Sequence, residues 1–172
     1  DAAANGLDVV IVNPAVVLGP GDLHRISGDL VVRVAQRRVP LAASGGFGVI
    51  DVRDAAAAHI AAAAQGRAGE RYILSVHNVL TRDLFALAPE VAGVRPPRFA
   101  LPRPLTGPLA ALLDAARALG VRLPMDGNQL RLSARRLFYD ARKAQSELGL
   151  RGRPLAETVR DTWAWYRAEG VL

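Results

Sequence analysis

The order of the sequence patterns predicts an α/β fold built around a parallel sheet. Three short apolar runs, at 7–12, 47–52 and 71–75, alternate with runs of helical periodicity in the first half of the chain. The second half contains a proline-rich stretch and then only helical patterns. We therefore expect an α/β part over residues 1–94 and a mainly helical lobe over residues 95–172.

The first predicted strand runs from Leu7 to Val12. It is apolar almost throughout and lies between Gly6 and Asn13, so we expect it to be buried on both faces. The residues before Gly6 are typical of a helix end, with Gly6 as its left-handed cap. The Gly-Pro-Gly sequence within 16–21 predicts an irregular loop.

Capping residues and periodicity place the remaining elements of the first half. Predicted strands occupy 47–52 and 71–75. The predicted helices and their caps are Ser27 for a helix to Arg38, Asp54 for an alanine-rich helix from Ala55 to Gln65 closed by Gly66, and Thr81 for a helix that includes Ala88.

The second half is predicted to consist of helices that follow a stiff connection over 95–108. The expected helices cover 105–119, 127–137, 141–148 and 155–168. Asp140 is the expected cap of the third, and Pro154 fits the first turn of the fourth. In this last helix, Val159, Thr162, Trp163 and Tyr166 form one stripe.

Composition excludes several kinds of function. The 172 residues are 51% hydrophobic and contain no cysteine, so disulfides, thiolate metal sites and thiol nucleophiles are excluded. No apolar run approaches the roughly 20 residues that span a bilayer, and the first residues lack a signal-peptide pattern. We expect a cytoplasmic protein without a membrane partner. None of the three histidines has metal-ligand spacing, so no metal site is expected.

The net charge of +6 raises the possibility of nucleic-acid binding. The arginines are spread over every predicted element, however, and only Arg131, Arg135 and Arg136 form a local cluster. No zinc spacing or RNA-binding motif accompanies them. We therefore expect no nucleic-acid partner. Lys143 is the only lysine in the chain.

Four segments, in this order, resemble extended short-chain dehydrogenases/reductases. They are residues 6–14 continuing into 18–22, residues 49–56 with His59, residues 69–75, and the carboxyl end with 139–149 and 165–170. The chain is most similar to dihydroflavonol-reductase-like and hopanoid-associated sugar-epimerase-like members of the NAD-dependent epimerase/dehydratase group. The resemblance covers only the carboxyl-terminal half of that family, so we expect an upstream segment.

The resemblance implies part of a Rossmann-like domain with a small, mainly helical substrate-binding lobe. It also implies hydride transfer between NAD or NADP and a small carbonyl, hydroxyl or nucleotide-sugar-like substrate. In the family, a glycine-rich turn holds the cofactor pyrophosphate, and a tyrosine with a lysine four residues later does the acid–base chemistry. Both would precede Asp1, so we expect this chain alone to be inactive and assign it no catalytic residue.

Tyr139 and Lys143 have the bare tyrosine–lysine spacing of the family's catalytic pair. They follow the strand that the family's pair precedes, and a cap at Asp140 would leave Tyr139 outside the helix. We therefore expect Tyr139 to pack and Lys143 to face solvent.

The turn after the first strand is the expected ligand contact, because open α/β sheets bind ligands at the carboxyl ends of strands. By the resemblance, cofactor contacts are expected from Asn13, Pro14, Ala15 and Val16, and substrate contacts from Gly19, Gly21, Arg53 and Met125. Two structural alternatives remain open: Pro14 merely ends a strand, and Arg53 pairs with a local acid.

The resemblance and the predicted sheet imply two kinds of binding partner. The complete protein is expected to bind a dinucleotide and a small-molecule substrate, whereas the exposed sheet edge would pair with the missing amino-terminal half or with another chain. In the alternative function, the chain is a non-catalytic binding module.

Overall fold

The computed structural model describes residues 6–36, 39, 41–95, 99–123 and 125–171. The strands are β1 Ile11–Pro14, β2 Val16–Leu18, β3 Leu41–Ala42, β4 Gly46–Asp51, β5 Arg71–Leu74, β6 His77–Leu80, β7 Phe99–Ala100 and β8 Arg136–Leu137. The helices are α1 Asp29–Ala35, α2 Val52–Gln65, α3 Thr81–Phe85, α4 Ala88–Ala92, α5 Arg103–Ala118, α6 Gly127–Ser133, α7 Arg142–Leu148 and α8 Leu155–Ala168.

Most strand pairs in the described residues are parallel. β1 pairs with β5, β2 with β4, β3 with β7 and β8 with β4, all in parallel. β6 pairs with β4 in the antiparallel direction. Helix α2 connects β4 to β5, and it packs on β1 and on the paired strands β2 and β4. The predicted α/β class with parallel strands is therefore confirmed.

Two apolar clusters join these strands to the helices. In the first, Ile50, Tyr72 and Leu74 pack with alanines of α2 and with residues of α7. In the second, Leu18 and Val49 pack with residues of α1, α3 and α8. Helices α7 and α8 thus cover the strands, whereas α5 and α6 pack mainly against each other. The boundary at residue 94 stays an interpretation.

The first strand differs from its prediction. It begins at Ile11 rather than Leu7, and Ile11 is 37% exposed rather than buried. The reason is that β1 pairs only with β5 among the described residues, so one edge of the strand has no neighbour there. The expected helix end before Gly6 lies outside the described residues.

The prediction of an irregular loop over 16–21 is wrong for its first three residues. Val16 to Leu18 form β2, because their backbone pairs with Val49 to Asp51. Only Gly19 to Gly21 form a turn. Strand β6 was not predicted, because its four residues carry no clear alternation and depend on pairing with β4.

The predicted caps of α2 and α1 are wrong. Asp51, not Asp54, accepts the backbone N–H of Arg53 and caps α2, so the helix begins at Val52. Ser27 does not cap α1, which begins at Asp29 with Gly28 at the cap position.

The helix predicted from Thr81 is two short helices, and its cap position is Leu80. The break comes before Pro89, which lacks the N–H needed to continue the first helix. The predicted end of α2 at Gln65 is confirmed.

Outcomes in the second half are mixed. The helix predicted from 105 begins at Arg103, inside the proline-rich stretch, because proline is tolerated in the first helical turn. The helix predicted over 127–137 ends at Ser133, since its last residues form β8 beside β4. Asp140 accepts the Arg142 backbone N–H, but α7 begins at Arg142 rather than Ala141. The last helix has the predicted bounds.

Within the described ranges, no helix combines the length and apolarity required to cross a membrane.

Candidate functional site

The turn between β1 and β2 lies at the carboxyl edge of the parallel pair formed by β1 and β5. Pro14 stands opposite Leu74, and the backbone N–H of Ala15 donates to the Leu74 carbonyl at 2.9 Å. Because both strands end here, this edge is where an open α/β sheet receives a ligand. Asn13 and Pro14 are the last residues of β1, Val16 begins β2, and only Ala15 separates the two strands, so the expected cofactor contacts of these four residues stay a prediction.

The floor of this edge is tightly packed. A Cβ atom added at Gly48 would lie 2.6 Å from the Ser75 hydroxyl, 2.7 Å from the Tyr139 ring and 3.1 Å from the Ala15 side chain. These four residues therefore meet directly after β1 and β5. The sequence did not single out Ser75 or Gly48, because their proximity to Ala15 follows from strand pairing.

Ser75 is a second candidate polar group at this edge. Its side chain is buried, and its hydroxyl has no hydrogen-bond partner among the described residues. A buried hydroxyl without a partner is costly, which makes Ser75 a candidate to bond a ligand or a neighbouring segment.

The glycines predicted to contact substrate form a tight turn. Gly19 and Gly21 have φ values of 143° and 97°, which favour glycine. At Gly19, a Cβ atom would also collide with the side chain of Val52. The structure accounts for both glycines by backbone geometry, and direct substrate contact stays a prediction.

Asp22 fixes the loop that follows this turn. Its carboxylate accepts the backbone N–H groups of Ile26, Ser27 and Gly28 at 2.8–3.1 Å and the hydroxyl of Tyr166 at 3.0 Å. Burial alone would raise the pKa of Asp22, but these hydrogen bonds outweigh it and lower the pKa. Burial and the bond to Asp22 raise the pKa of Tyr166, so its hydroxyl stays protonated.

Arg53 lies in an ion-pair network between α2 and α8. Its guanidinium donates to Asp51 at 2.8 and 2.9 Å and lies 2.7 Å from Asp161. Asp51 also accepts the Thr158 hydroxyl at 2.9 Å. Arg53 therefore pairs with local acids, which is the structural alternative to substrate binding.

The hydrogen bonds and charges in this network favour the ionised form of the Asp51 carboxylate. Burial would raise the pKa of Asp51, but hydrogen bonds from Arg53 and Thr158 outweigh it, and the pKa falls to about 2. The bond to Asp51 raises the pKa of Arg53 further above its usual value. Nearby, Asp54 accepts the backbone N–H of Arg153 at 2.8 Å instead of capping α2.

Met125 lies on a different part of the chain from Arg53 and its acidic partners. It precedes α6 and is 41% exposed. The following Asp126 forms a reciprocal cap with Gln129, at 2.7 and 3.1 Å. Met125 is thus held beside an ordered helix start, and its predicted contact with substrate is not tested by this geometry.

Tyr139 and Lys143 do not form a catalytic pair. The Tyr139 backbone bonds to the Asn78 side chain, and the residue lies outside α7, as predicted. Lys143 donates to Glu70 and, at 3.2 Å, to the Arg71 carbonyl. The expectation that Lys143 simply faces solvent is wrong, because this ion pair and the Tyr72 ring, 4.6 Å away, hold it.

A cavity of about 230 Å³ opens beside the turn, between β2, β4, α1 and α3. Its lining residues are Val16, Leu18, Ile26, Ser27, Leu30, Val31, Phe47 and Leu84. Val16 is also the last residue of the candidate cofactor turn. The turn and the cavity are therefore adjacent parts of one candidate site.

In the ranges that the structure describes, no three histidine, aspartate or glutamate side chains are grouped as metal ligands would be.

Comparison with known proteins shows which proteins the chain resembles. The chain is 34% identical over 179 aligned positions to a dihydroflavonol 4-reductase-like protein of Synechocystis, covering 99% of the chain and 52% of that protein. It is 30% identical to sterol demethylase protein B of Methylococcus capsulatus, of which it covers 53%. The chain is thus similar over nearly its whole length to about half of each of these proteins, in agreement with its resemblance to extended short-chain dehydrogenases/reductases. It spans about half the length of the curated relatives it matches.

Solved structures agree with this resemblance. A nucleoside-diphosphate-sugar epimerase from Pseudomonas aeruginosa is 30% identical, with a TM-score of 0.80 over 98% of this chain and 51% of that one. A UDP-glucose 4-epimerase from Stenotrophomonas maltophila shares the fold, with a TM-score of 0.66 at 22% identity. No family model matches the chain.

Proposed function

We propose that this chain is the carboxyl-terminal half of an NAD(P)-dependent oxidoreductase or epimerase that acts on a small carbonyl, hydroxyl or nucleotide-sugar-like substrate. The observation that carries the proposal is the end-to-end match of the chain to about half of a reductase-like relative. The chain contributes the edge of the cofactor site and the substrate side. The glycine-rich turn and the tyrosine–lysine pair belong to the part that precedes it.

The cofactor proposed for the complete protein is NAD or NADP. The Stenotrophomonas epimerase was solved with bound NAD, and a further structural relative, RMD from Pseudomonas aeruginosa, with NADPH. Asn13, Pro14, Ala15 and Val16 would lie beside the nicotinamide, and the unpartnered Ser75 hydroxyl at the same edge suits its polar carboxamide. These residues fit only the nicotinamide end, because the chain has no glycine-rich pyrophosphate turn.

The residues proposed for the substrate side act mainly by position. Gly19 and Gly21 set the turn that leads into the cavity, and Arg53 ties α2 to α8 behind it. Met125 is the proposed contact from the loop before α6. Hydride transfer is the chemistry that the bound dinucleotide would supply.

A second candidate function rests on the exposed edge of β1. Among the described residues this strand has one neighbour, and its Ile11 side chain is exposed. Such an edge can pair with another strand, either from the missing half or from another chain. A non-catalytic module would use it for a stable partner.

The coding sequence upstream of Asp1 tests the proposal. We expect it to encode, in the same frame, a glycine-rich turn and then a tyrosine–lysine pair within about twenty residues of Asp1, the spacing at which one helix can precede β1. A start codon at this position, together with a stable self-associated chain in gel filtration with light scattering, would favour the binding module instead.

A further inference from the structure

The cavity beside the candidate cofactor turn has a nearly uniform chemical character. Seven of its eight lining residues are aliphatic or aromatic, and the eighth is Ser27. The lining contains no arginine, lysine, histidine, aspartate or glutamate. Such a surface favours an apolar ligand with at most one hydrogen-bonding group directed at Ser27.

The charged side chains nearest in sequence to the cavity lining are of both signs, and none of them lines the cavity itself. Asp22 already binds the loop that carries Ile26 and Ser27, and it remains ionised. Asp29, at the start of α1, pairs with Arg33. A nucleoside diphosphate carries negative charge that proteins usually meet with arginine, lysine or a free helix start. None of the residues that line this cavity supplies an arginine or lysine for that purpose.

The size of the cavity sets the scale of the ligand. An apolar cavity of about 150 Å³ accommodates one benzene molecule. A volume of about 230 Å³ therefore suits a somewhat larger hydrocarbon group, such as two fused rings. Ile26 is 82% exposed at the rim, so a larger molecule could extend past it.

We propose that the substrate of the complete protein is an apolar carbonyl or alcohol compound whose hydrocarbon part occupies this cavity, rather than a nucleotide-linked sugar. The proposal rests on the function proposed above and narrows its substrate class. Val16 belongs both to the cavity and to the proposed cofactor turn, so a ligand held here would have its reacting carbon near the position proposed for the nicotinamide.

Calorimetric titration with 2-acetylnaphthalene, an aryl ketone with two fused rings, tests this inference against UDP-glucose. The variant is Ile26→Arg, which places a cation at the rim, and the matched control is Ile60→Arg on α2. Ile60 is 72% exposed and is not among the lining residues, so both changes affect exposed isoleucines. The titration uses the 172-residue chain when circular dichroism shows it folded, and otherwise the complete protein.

We expect the wild-type chain and Ile60→Arg to bind the ketone equally, Ile26→Arg to bind it at least about tenfold more weakly, and UDP-glucose to bind more weakly than the ketone. Equal ketone binding by Ile26→Arg and the control would overturn the proposal. So would absent ketone binding, or tighter binding of UDP-glucose.

These results separate the substrate class from the proposed function. A complete protein that transfers hydride to or from nucleotide sugars and rejects the ketone keeps the proposed function and loses this inference. A complete protein that binds no NAD(P)H loses the proposed function, whatever the cavity binds.

Discussion

Replacement of Asp51 by alanine should strongly destabilise the chain. The side chain is almost wholly buried, and it receives the Arg53 guanidinium, the Arg53 backbone N–H and the Thr158 hydroxyl. Its pKa falls from 3.8 to about 2, a difference of about two units. At about 1.4 kcal/mol per unit, ionisation of Asp51 contributes about 2 to 3 kcal/mol to folding at neutral pH.

The full cost of Asp51→Ala should be larger, about 3 to 5 kcal/mol, because the change also removes a helix cap and leaves a buried hydroxyl without a partner. Urea denaturation at pH 7 measures it. Asp140→Ala is the control. Asp140 also has a pKa of about 2 and pairs with Arg142, but this pair is exposed, so its removal should change stability little.

The pH dependence of this effect has a fixed sign. The pKa of Asp51 is depressed in the folded chain, so its contribution is complete above the ordinary value of 3.8 and is lost as the pH falls towards 2. The difference between wild type and Asp51→Ala should therefore shrink across this interval. Equal losses for Asp51→Ala and Asp140→Ala at pH 7 would refute the reasoning.

Two further predictions concern Asp22 and its loop. Tyr166→Phe should lower the free energy of unfolding in urea by about 1 kcal/mol, because it removes the hydroxyl bonded to Asp22. The control Tyr139→Phe should cause no measurable change. Equal losses of stability for the two variants would contradict this prediction. Gly28→Ala should be strongly destabilising in thermal denaturation, since its Cβ would collide with the fully buried Tyr166 ring; a neutral Gly28→Ala would contradict the packing.

Elements with strong local signals were predicted well. Helix α8 has the predicted bounds, and Val159, Thr162 and Tyr166 of its stripe are buried, because amphipathic periodicity is written in adjacent turns. The end of α7 was also predicted, since Gly149 adopts the left-handed conformation of a helix cap.

Choices that depend on distant residues were missed. The sequence predicted Asp54 as the cap of α2, whereas Asp51 caps it; Thr158 and Arg153, about a hundred positions away, bond to Asp51 and Asp54 respectively. Ser27 lost its capping role because Asp22, which also bonds to Tyr166, organises this loop. Such contacts leave no trace in local sequence patterns.

The candidate site also has one part that could be predicted from local sequence and another part that could not. Asn13-Pro14 follows an apolar run, so the end of a strand near these residues could be predicted, although the structure extends β1 to Pro14 and begins β2 at Val16. Ser75 reaches the same edge only because β5 pairs with β1, and the cavity forms only when α1 and α3 pack over β2 and β4. Neither could be predicted from spacing along the chain.

The most direct test of the proposed function is a fluorescence titration of NADPH and NADH with this chain and, in parallel, with a longer chain that includes the proposed amino-terminal half. We expect saturable dinucleotide binding by the longer chain and none of comparable affinity by the 172-residue chain, which lacks the pyrophosphate turn. Tight binding with hydride transfer by the 172-residue chain alone would contradict this expectation.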